Sequence, residues 1–406
     1  MLALGAALAL AGGLSSAVAG PAARGLAWLS TRAAFEQFRD DFWPVARRAG
    51  ISRAIYRRAF AGLSPDPDVL RKLERQPEFS TPIWAYIDKR VSEARIAKGR
   101  EKLRRLSGLL GAIERRHGVN RRIVLAIWGM ETNYGGYTGR KDVIRSLATL
   151  AFSGRKRRYG RQQLLAALKI LQAGDIAPRA MKGSWAGAMG HTQFIPTTYL
   201  AYARDFDRDG KRDIWNSIPD ALASTANYLA KRGWKPGRPW GWEVRLPRGF
   251  DWRLTGRAKA RSVGAWEKLG IRPASARRFY ARGARAWLIL PAGHKGPAFL
   301  VTDNFRAILA YNNSTAYALA VAHLADRIGG AGPFVRGWPV RERLLSRAER
   351  IELQRMLARQ GLYRGAFRGH IGPKTRRAVQ RYQQAAGIPA DGYANRALLN
   401  HLRRRR

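Results

Sequence analysis

Apolar positions recur every three to four residues along most of this chain, and they do so most regularly over residues 123–136. Ile123, Ile127, Met130 and Tyr134 make one stripe, and Val124 and Trp128 run beside it, which predicts a helix with two adjoining apolar faces. Asn120 is placed to cap its start, and Gly135 with Gly136 to end it. Glu131 falls in line with Val124 and Trp128, so the only carboxylate of the segment projects from an apolar face. Burial disfavours the charged form of a carboxyl group and raises its pKa towards neutrality, the property that a general acid working near pH 7 requires. A buried Glu held by an Arg or a backbone amide for structural reasons fits the same periodicity.

The helical period also runs through residues 32–117, where Phe35, Phe38 and Phe42, then Ile55, Ala59 and Leu63, form apolar stripes. Pro65 and Pro67 separate these from a charged run at 89–116 that reads as a solvated helix face. No spacing in this stretch suggests catalysis. Beyond Glu131 come a Gly-rich turn through Gly139, an apolar run at 143–152 and a helix at about 159–173. Residues 183–196 then read as a binding loop running into a short helix, with Gly183, Gly187 and Gly190 expected to let the backbone approach a ligand.

The period changes to two after residue 235. Trp242, Val244 and Leu246 alternate, and short apolar runs at 287–290 and 299–301 are bounded by Pro and Gly, which predicts a small antiparallel sheet inserted in a helical domain. Residues 304–328 are helical again, broken at 311–314. Gly329, Gly330, Gly332 and Pro333 begin a linker. A compact unit follows, with helices at 348–360 and 375–386 and a short one at the end, large enough for a small binding module. The expected fold is mainly α: a helical domain with a small β insertion, plus a helical C-terminal module.

Composition narrows the class. At 406 residues and 46% hydrophobic, with 13 Trp, 14 Tyr and 14 Phe, the chain is globular and long enough for two or three domains. Its 75 Lys and Arg against 28 Asp and Glu leave a formal charge of +47, which predicts affinity for polyanions such as nucleic acid, acidic lipid or an anionic wall polymer. No nucleic-acid-binding pattern accompanies the charge, so a basic solvated surface is expected and nucleic acid is not. Cysteine is absent, which excludes disulfides, thiolate metal sites, a Cys nucleophile and a lipid-modified Cys. Residues 1–19 form an Ala- and Leu-rich run closing on Ala17, Val18 and Ala19, and read as an export signal. No basic residue precedes the run, and a membrane anchor is the alternative.

Two further patterns carry chemistry. Asp205, Asp207 and Asp209 alternate ahead of Gly210, as in the first half of an EF-hand calcium loop. Asn216 stands where a bidentate Glu is expected, so Asp220 and the Lys211 carbonyl are the remaining candidate ligands; an Asx-rich turn capping a helix at 219–230 is the alternative. Ser184 lacks the context of a serine hydrolase, and the six His show no metal-ligand spacing.

Three separated segments carry a family resemblance: 128–135, which holds Glu131; 184–196; and 304–317, which holds Tyr311, Asn312, Asn313 and Ser314. Together, over about 35–334, they resemble the membrane-bound lytic murein transglycosylase B family, in a soluble form. Residues 345–402 are similar to a peptidoglycan-binding module, through Gly372-Pro373-Lys374-Thr375 and Asp391-Gly392. The resemblance implies a lysozyme-like catalytic domain at 32–334 with its β insertion at about 235–301, a linker at 335–344, and peptidoglycan glycan strands as the partner. It makes Glu131 the single catalytic acid and base, and places Ser184, Gln193, Tyr228, Tyr311, Asn312 and Tyr317 along the sugar-binding groove. It makes 205–220 a calcium site in which calcium is structural, with no cofactor required for the chemistry. It also implies a periplasmic enzyme that is no lipoprotein and meets a membrane only through an uncleaved export segment. Ordinary glycosidases use two carboxylates, and the only other acid within twenty residues downstream of Glu131 is Asp142. A lytic one-acid reaction is therefore expected, with hydrolysis assisted by Asp142, or binding without catalysis, as the alternatives.

Overall fold

The computed structural model describes residues 21–74, 81–154, 156–275 and 278–404. The expected export segment at 1–19 lies outside them. Among the described residues no helix is long and apolar enough to cross a membrane. The architecture is mainly α, with small antiparallel sheets and a helical C-terminal module.

The Arg121–Thr132 helix is the centre of the large core. Every residue from Ile123 to Met130 is buried, so the helix is covered on all sides instead of facing solvent along one stripe. It packs against the Glu93–Arg105, Ser107–His117, Ile218–Lys231 and Thr315–Ile328 helices. Asn120 caps it, its Oδ1 accepting from the Arg122 amide at 2.9 Å. The end differs from the expectation. Asn133 and Tyr134, with φ of 53° and 59°, turn the chain in the left-handed region before either glycine is reached. Asn tolerates that region because its short polar side chain bonds locally; Tyr134 is held there by tertiary contacts.

Around this helix the predicted scaffold forms. Phe35, Phe38 and Phe42 are buried, and the first two meet the Phe152 ring at 5.5 and 6.0 Å. The Val143–Phe152 and Arg157–Ala173 helices lie so close that a Cβ on Gly160 would sit 2.3 Å from the Ala151 amide nitrogen. The inserted sheet has five strands in the order Arg261–Ser262, Arg285–Ile289, Ala298–Thr302, Gly241–Arg245 and Arg272–Pro273, each pair antiparallel. It encloses its own core about Trp266, which stands on a short Val263–Lys268 helix that the period-two pattern did not reveal.

The Arg347–Arg359, Pro373–Ala385 and Arg396–Arg404 helices close a third core around Leu353, Leu357, Val379 and Leu399. This module is fastened to the sheet insertion. The Gln380 amide donates to the Trp252 carbonyl and Thr255 Oγ1 at 2.9 and 3.1 Å, and His294 Nδ1 meets Asp391 Oδ2 at 2.6 Å. The connection is fastened too. The Val335 and Arg336 amides donate to the Glu243 carboxylate at 2.7 Å each, and the Phe334 ring stacks on His323 with centroids 3.9 Å apart.

Candidate active site

Glu131 occupies the last turn of the Arg121–Thr132 helix, and Tyr317 the first turn of the Thr315–Ile328 helix, which Ser314 caps. The Tyr317 hydroxyl donates to Glu131 Oε1 at 2.5 Å. Burial pushes the Glu131 carboxyl up to about 7, against the Tyr317 hydrogen bond and the Arg90 charge, both of which favour the carboxylate. The alignment of Glu131 with Val124 and Trp128 had pointed to such an environment; the partners that tune it come from segments far away in sequence.

Arg90 is one that sequence reasoning missed. It ends the Ile83–Arg90 helix, which packs on the Thr315–Ile328 helix, and its guanidinium lies over the Tyr86 ring 5.6 Å from the centroid. Tyr86 feels the Glu131 charge as well. The only sequence signal was an aromatic and a cation one helical turn apart, a spacing shared with many solvated faces.

The left-handed turn at Asn133 and Tyr134 folds Tyr134 back under the helix, where its hydroxyl donates to the Arg95 carbonyl at 3.0 Å and its ring stands edge-on to Trp128. Trp128 Nε1 in turn donates to His191 Nδ1 at 3.0 Å, which makes that nitrogen the acceptor of a neutral ring; burial lowers the His191 pKa in the same sense. Thus the 183–194 loop is bolted to the helix that carries the acid. A short ladder of Lys141–Asp142 with Lys182–Gly183, absent from the sequence reading, holds the loop's other end.

The loop glycines serve this packing, contrary to the expectation that they admit a ligand. A Cβ on Gly183 would lie 2.2 Å from the Ala188 carbonyl oxygen, and one on Gly190 would lie 2.4 Å from that of Ile214. Ser184 Oγ accepts from the Ala186 and Ala188 amides at 3.3 and 3.0 Å, and Gln193 donates to the Thr138 and Gly190 carbonyls at 3.0 and 2.9 Å. Both side chains shape the loop, and among the described residues the Ser184 hydroxyl proton and the Gln193 carbonyl oxygen make no hydrogen bond. Gln193 sits at a φ of 51°, strain of the kind that concentrates at functional positions.

Tyr228 and Tyr311 cluster with Phe194, the three ring centroids 5.0 to 5.8 Å apart. Their hydroxyls donate to backbone carbonyls of Ala310 and Thr192, which leaves the rings as the groups not committed to hydrogen bonds. Asn312 is exposed in the break between two helices. Asp142 is engaged elsewhere: its Oδ1 caps the Val143–Phe152 helix by accepting from the Arg145 amide at 2.9 Å, and its Oδ2 lies 3.7 Å from Lys182 Nζ.

At the acidic loop the structure brings together Asp205, Asp207 and Asp209, with one oxygen of each within 4.8 Å of the others. Asp220 does not join them. Its Oδ1 accepts from the Phe206 and Asp207 amides and its Oδ2 from the Asp213 amide, so it organises the loop from behind. The Lys211 amide donates to Asp209 Oδ1, and Lys211 is exposed.

The model of the Transglycosylase SLT domain matches residues 34–326, and that of a peptidoglycan binding domain matches 346–402. The chain belongs to the Transglycosylase SLT domain family. Among individual proteins it is 33% identical over 218 residues to membrane-bound lytic murein transglycosylase B of Escherichia coli, a match covering 52% of this chain and 58% of that protein. Its fold is similar to the crystal structure of SltB3 from Pseudomonas aeruginosa in complex with NAG-anhNAM-pentapeptide, at 52% identity and a TM-score of 0.88, covering 91% of this chain and 99% of that one. It is also similar to the Escherichia coli lytic transglycosylase Slt35 in complex with calcium, at 27% identity and a TM-score of 0.60, over 73% of this chain and 92% of that one.

Proposed function

We propose that this chain cleaves the β-1,4 bond between MurNAc and GlcNAc in peptidoglycan lytically, leaving 1,6-anhydromuramic acid ends, with Glu131 as acid and then base. The observation that carries the reading is a lone carboxyl pushed up to about 7, hydrogen-bonded by Tyr317, while Asp142 is tied into a helix cap. A protonated Glu131 gives its proton to the glycosidic oxygen as the C1–O bond breaks. The acetamido group of the same sugar stabilises the positive centre at C1. The Glu131 carboxylate then takes the proton of the C6 hydroxyl while O6 bonds to C1, and no water is consumed. The Tyr317 hydroxyl supports the carboxylate that exists between the two transfers. Ser184, Gln193, Tyr228, Tyr311 and Asn312 are the proposed groove residues, the tyrosines as walls.

Asp205, Asp207 and Asp209 fit a calcium ion: three hard oxygen donors converge, and Gly210, at a φ of 88°, makes the tight turn. The ion would brace the loop ahead of the Ile218–Lys231 helix, which carries Tyr228, and takes no part in bond cleavage. Residues 346–402 would attach the enzyme to the polymer, and residues 1–19 would direct it to the periplasm. The test is mass spectrometry of digested sacculi. Products one water lighter than hydrolytic muropeptides, lost in Glu131→Gln, support the lytic reading; reducing MurNAc ends would establish the hydrolytic alternative.

A further inference from the structure

A cavity of about 310 Å³ opens at the opposite end of the helix that carries Glu131. Arg122 marks that end, and nine residues at 1.5 Å each put it about 14 Å from Glu131 along the axis. The Thr315–Ile328 helix runs the other way, so Asp326 near its end reaches the same cavity while Tyr317 at its start holds Glu131. The walls are aromatic. Trp234, Trp240 and Trp242 line it, and Tyr280, 59% exposed, stands edge-on to Trp242 with centroids 5.4 Å apart. Asp326 Oδ2 accepts from Trp240 Nε1 at 2.9 Å, and the carboxylate feels the Arg122 charge.

The chemistry of the walls selects a ligand. Arg122 and Arg238 stand against Asp326 and Glu243, so the lining has no surplus charge to select an anion, and a metal ion would find Asp326 accepting from Trp240 Nε1 and Glu243 from the Val335 and Arg336 amides. A neutral molecule with hydroxyl and amide groups along one edge and an apolar face on the other suits Tyr280 and Asp326 together. The volume lies at the lower end of the roughly 300–1,000 Å³ typical of small-molecule sites, enough for one ring.

We propose that this cavity is a second saccharide site, taking one N-acetylhexosamine ring at a distance from the bond being cleaved. It rests on the reading of the chain as a peptidoglycan enzyme. Tyr280 offers its ring to the sugar's C–H face and Asp326 pairs with its hydroxyls. Occupation there would hold a long glycan at two points.

The experiment is equilibrium dialysis of labelled chitotetraose against full-length Glu131→Gln, and against the same chain also carrying Tyr280→Ala and Asp326→Asn. The second protein should bind one ligand fewer than the first, the remaining Kd values unchanged within twofold. Tyr280→Ala alone should weaken the second class at least tenfold; its side chain is exposed, so this variant decides if the triple one melts early. The same number of ligands in both proteins, with the same Kd values, overturns the cavity. One in the first and none in the second leaves the cavity standing and overturns the groove at Glu131. No binding to either overturns both.

Discussion

Tyr317→Phe isolates what tunes the acid. The substitution removes one oxygen, and Phe occupies the same buried space, so packing is nearly conserved. What disappears is the O–H donated to Glu131 Oε1 at 2.5 Å. A hydrogen bond to a charged group is worth about 1.5–3 kcal/mol, or roughly one to two pKa units at 1.36 kcal/mol each. The bond favours the carboxylate, so its loss raises the Glu131 pKa from about 7 to roughly 8–9. The base released by proton donation also loses its support, which lowers kcat/KM at pH 6 by about tenfold to a hundredfold. The assay is release of anhydro-muropeptides from a soluble glycan oligomer across pH 5 to 9.5, where the alkaline limb of kcat/KM reports the free enzyme's acid. Tyr311→Phe is the control, because that hydroxyl donates to the Thr192 carbonyl, and its alkaline limb should stay in place. An alkaline limb in Tyr317→Phe identical to that of the wild type would refute the assignment of Tyr317 as the group holding Glu131.

Glu131→Gln should lower turnover by at least about a hundredfold and change how stability follows pH. Because burial raises Glu131 from 4.5 to about 7, its contribution is intact below about pH 4.5 and falls by up to about 3 kcal/mol as pH rises through 7; melting midpoints should therefore favour the variant at pH 8 more than at pH 5, and parallel curves would contradict this. Calcium should raise the midpoint of the wild type and not of Asp207→Ala with Asp209→Ala, since an ion bound only by the native state stabilises it by mass action; identical scans in calcium and chelator would remove the ion from the account. A chain ending at Pro333 should melt several degrees below one ending at Val340, because only the shorter one loses Phe334 and the two amides on Glu243; equal midpoints would show that the segment contributes no stability.

The fold was largely legible in the sequence because the apolar period reports burial directly. The break at 311–314, the helices on either side of it and the principal strands of the insertion all followed from it. What it could not report was tertiary pairing. The Lys141–Asp142 ladder is two residues long and has no period, and the Val263–Lys268 helix is too short for one. The site divides in the same way. Glu131 stood out as a carboxylate on an apolar stripe, a local signal. Arg90 looked like one more cation on a charged face, since only packing of its helix against the Thr315–Ile328 helix turns it towards the acid. The loop glycines misled for a related reason: a sequence shows that backbone approaches something closely, without showing that the something is Ile214 or Ala188.

A single group that must first give a proton and then recover one has a narrower requirement than either member of an ordinary carboxylate pair. Two carboxylates divide the work by having their pKa values driven apart. One carboxyl has to be protonated in a useful fraction of molecules at rest and still leave a competent base, which places its best pKa near the working pH. Burial alone overshoots, since a fully buried carboxyl can rise by several units and then holds its proton too firmly. The opposing groups, Tyr317 and Arg90, bring Glu131 back to about 7. Each is carried by a different helix, and both helices pack on each other, so the tuning depends on the core as a whole. A cavity-forming change such as Ile127→Ala, in the fully buried core, would let the packed helices relax and disturb the placing of Tyr317 and Arg90, so the Glu131 pKa would move away from about 7 before the protein unfolds. The acid is thus an activity probe of packing about one turn away along its own helix.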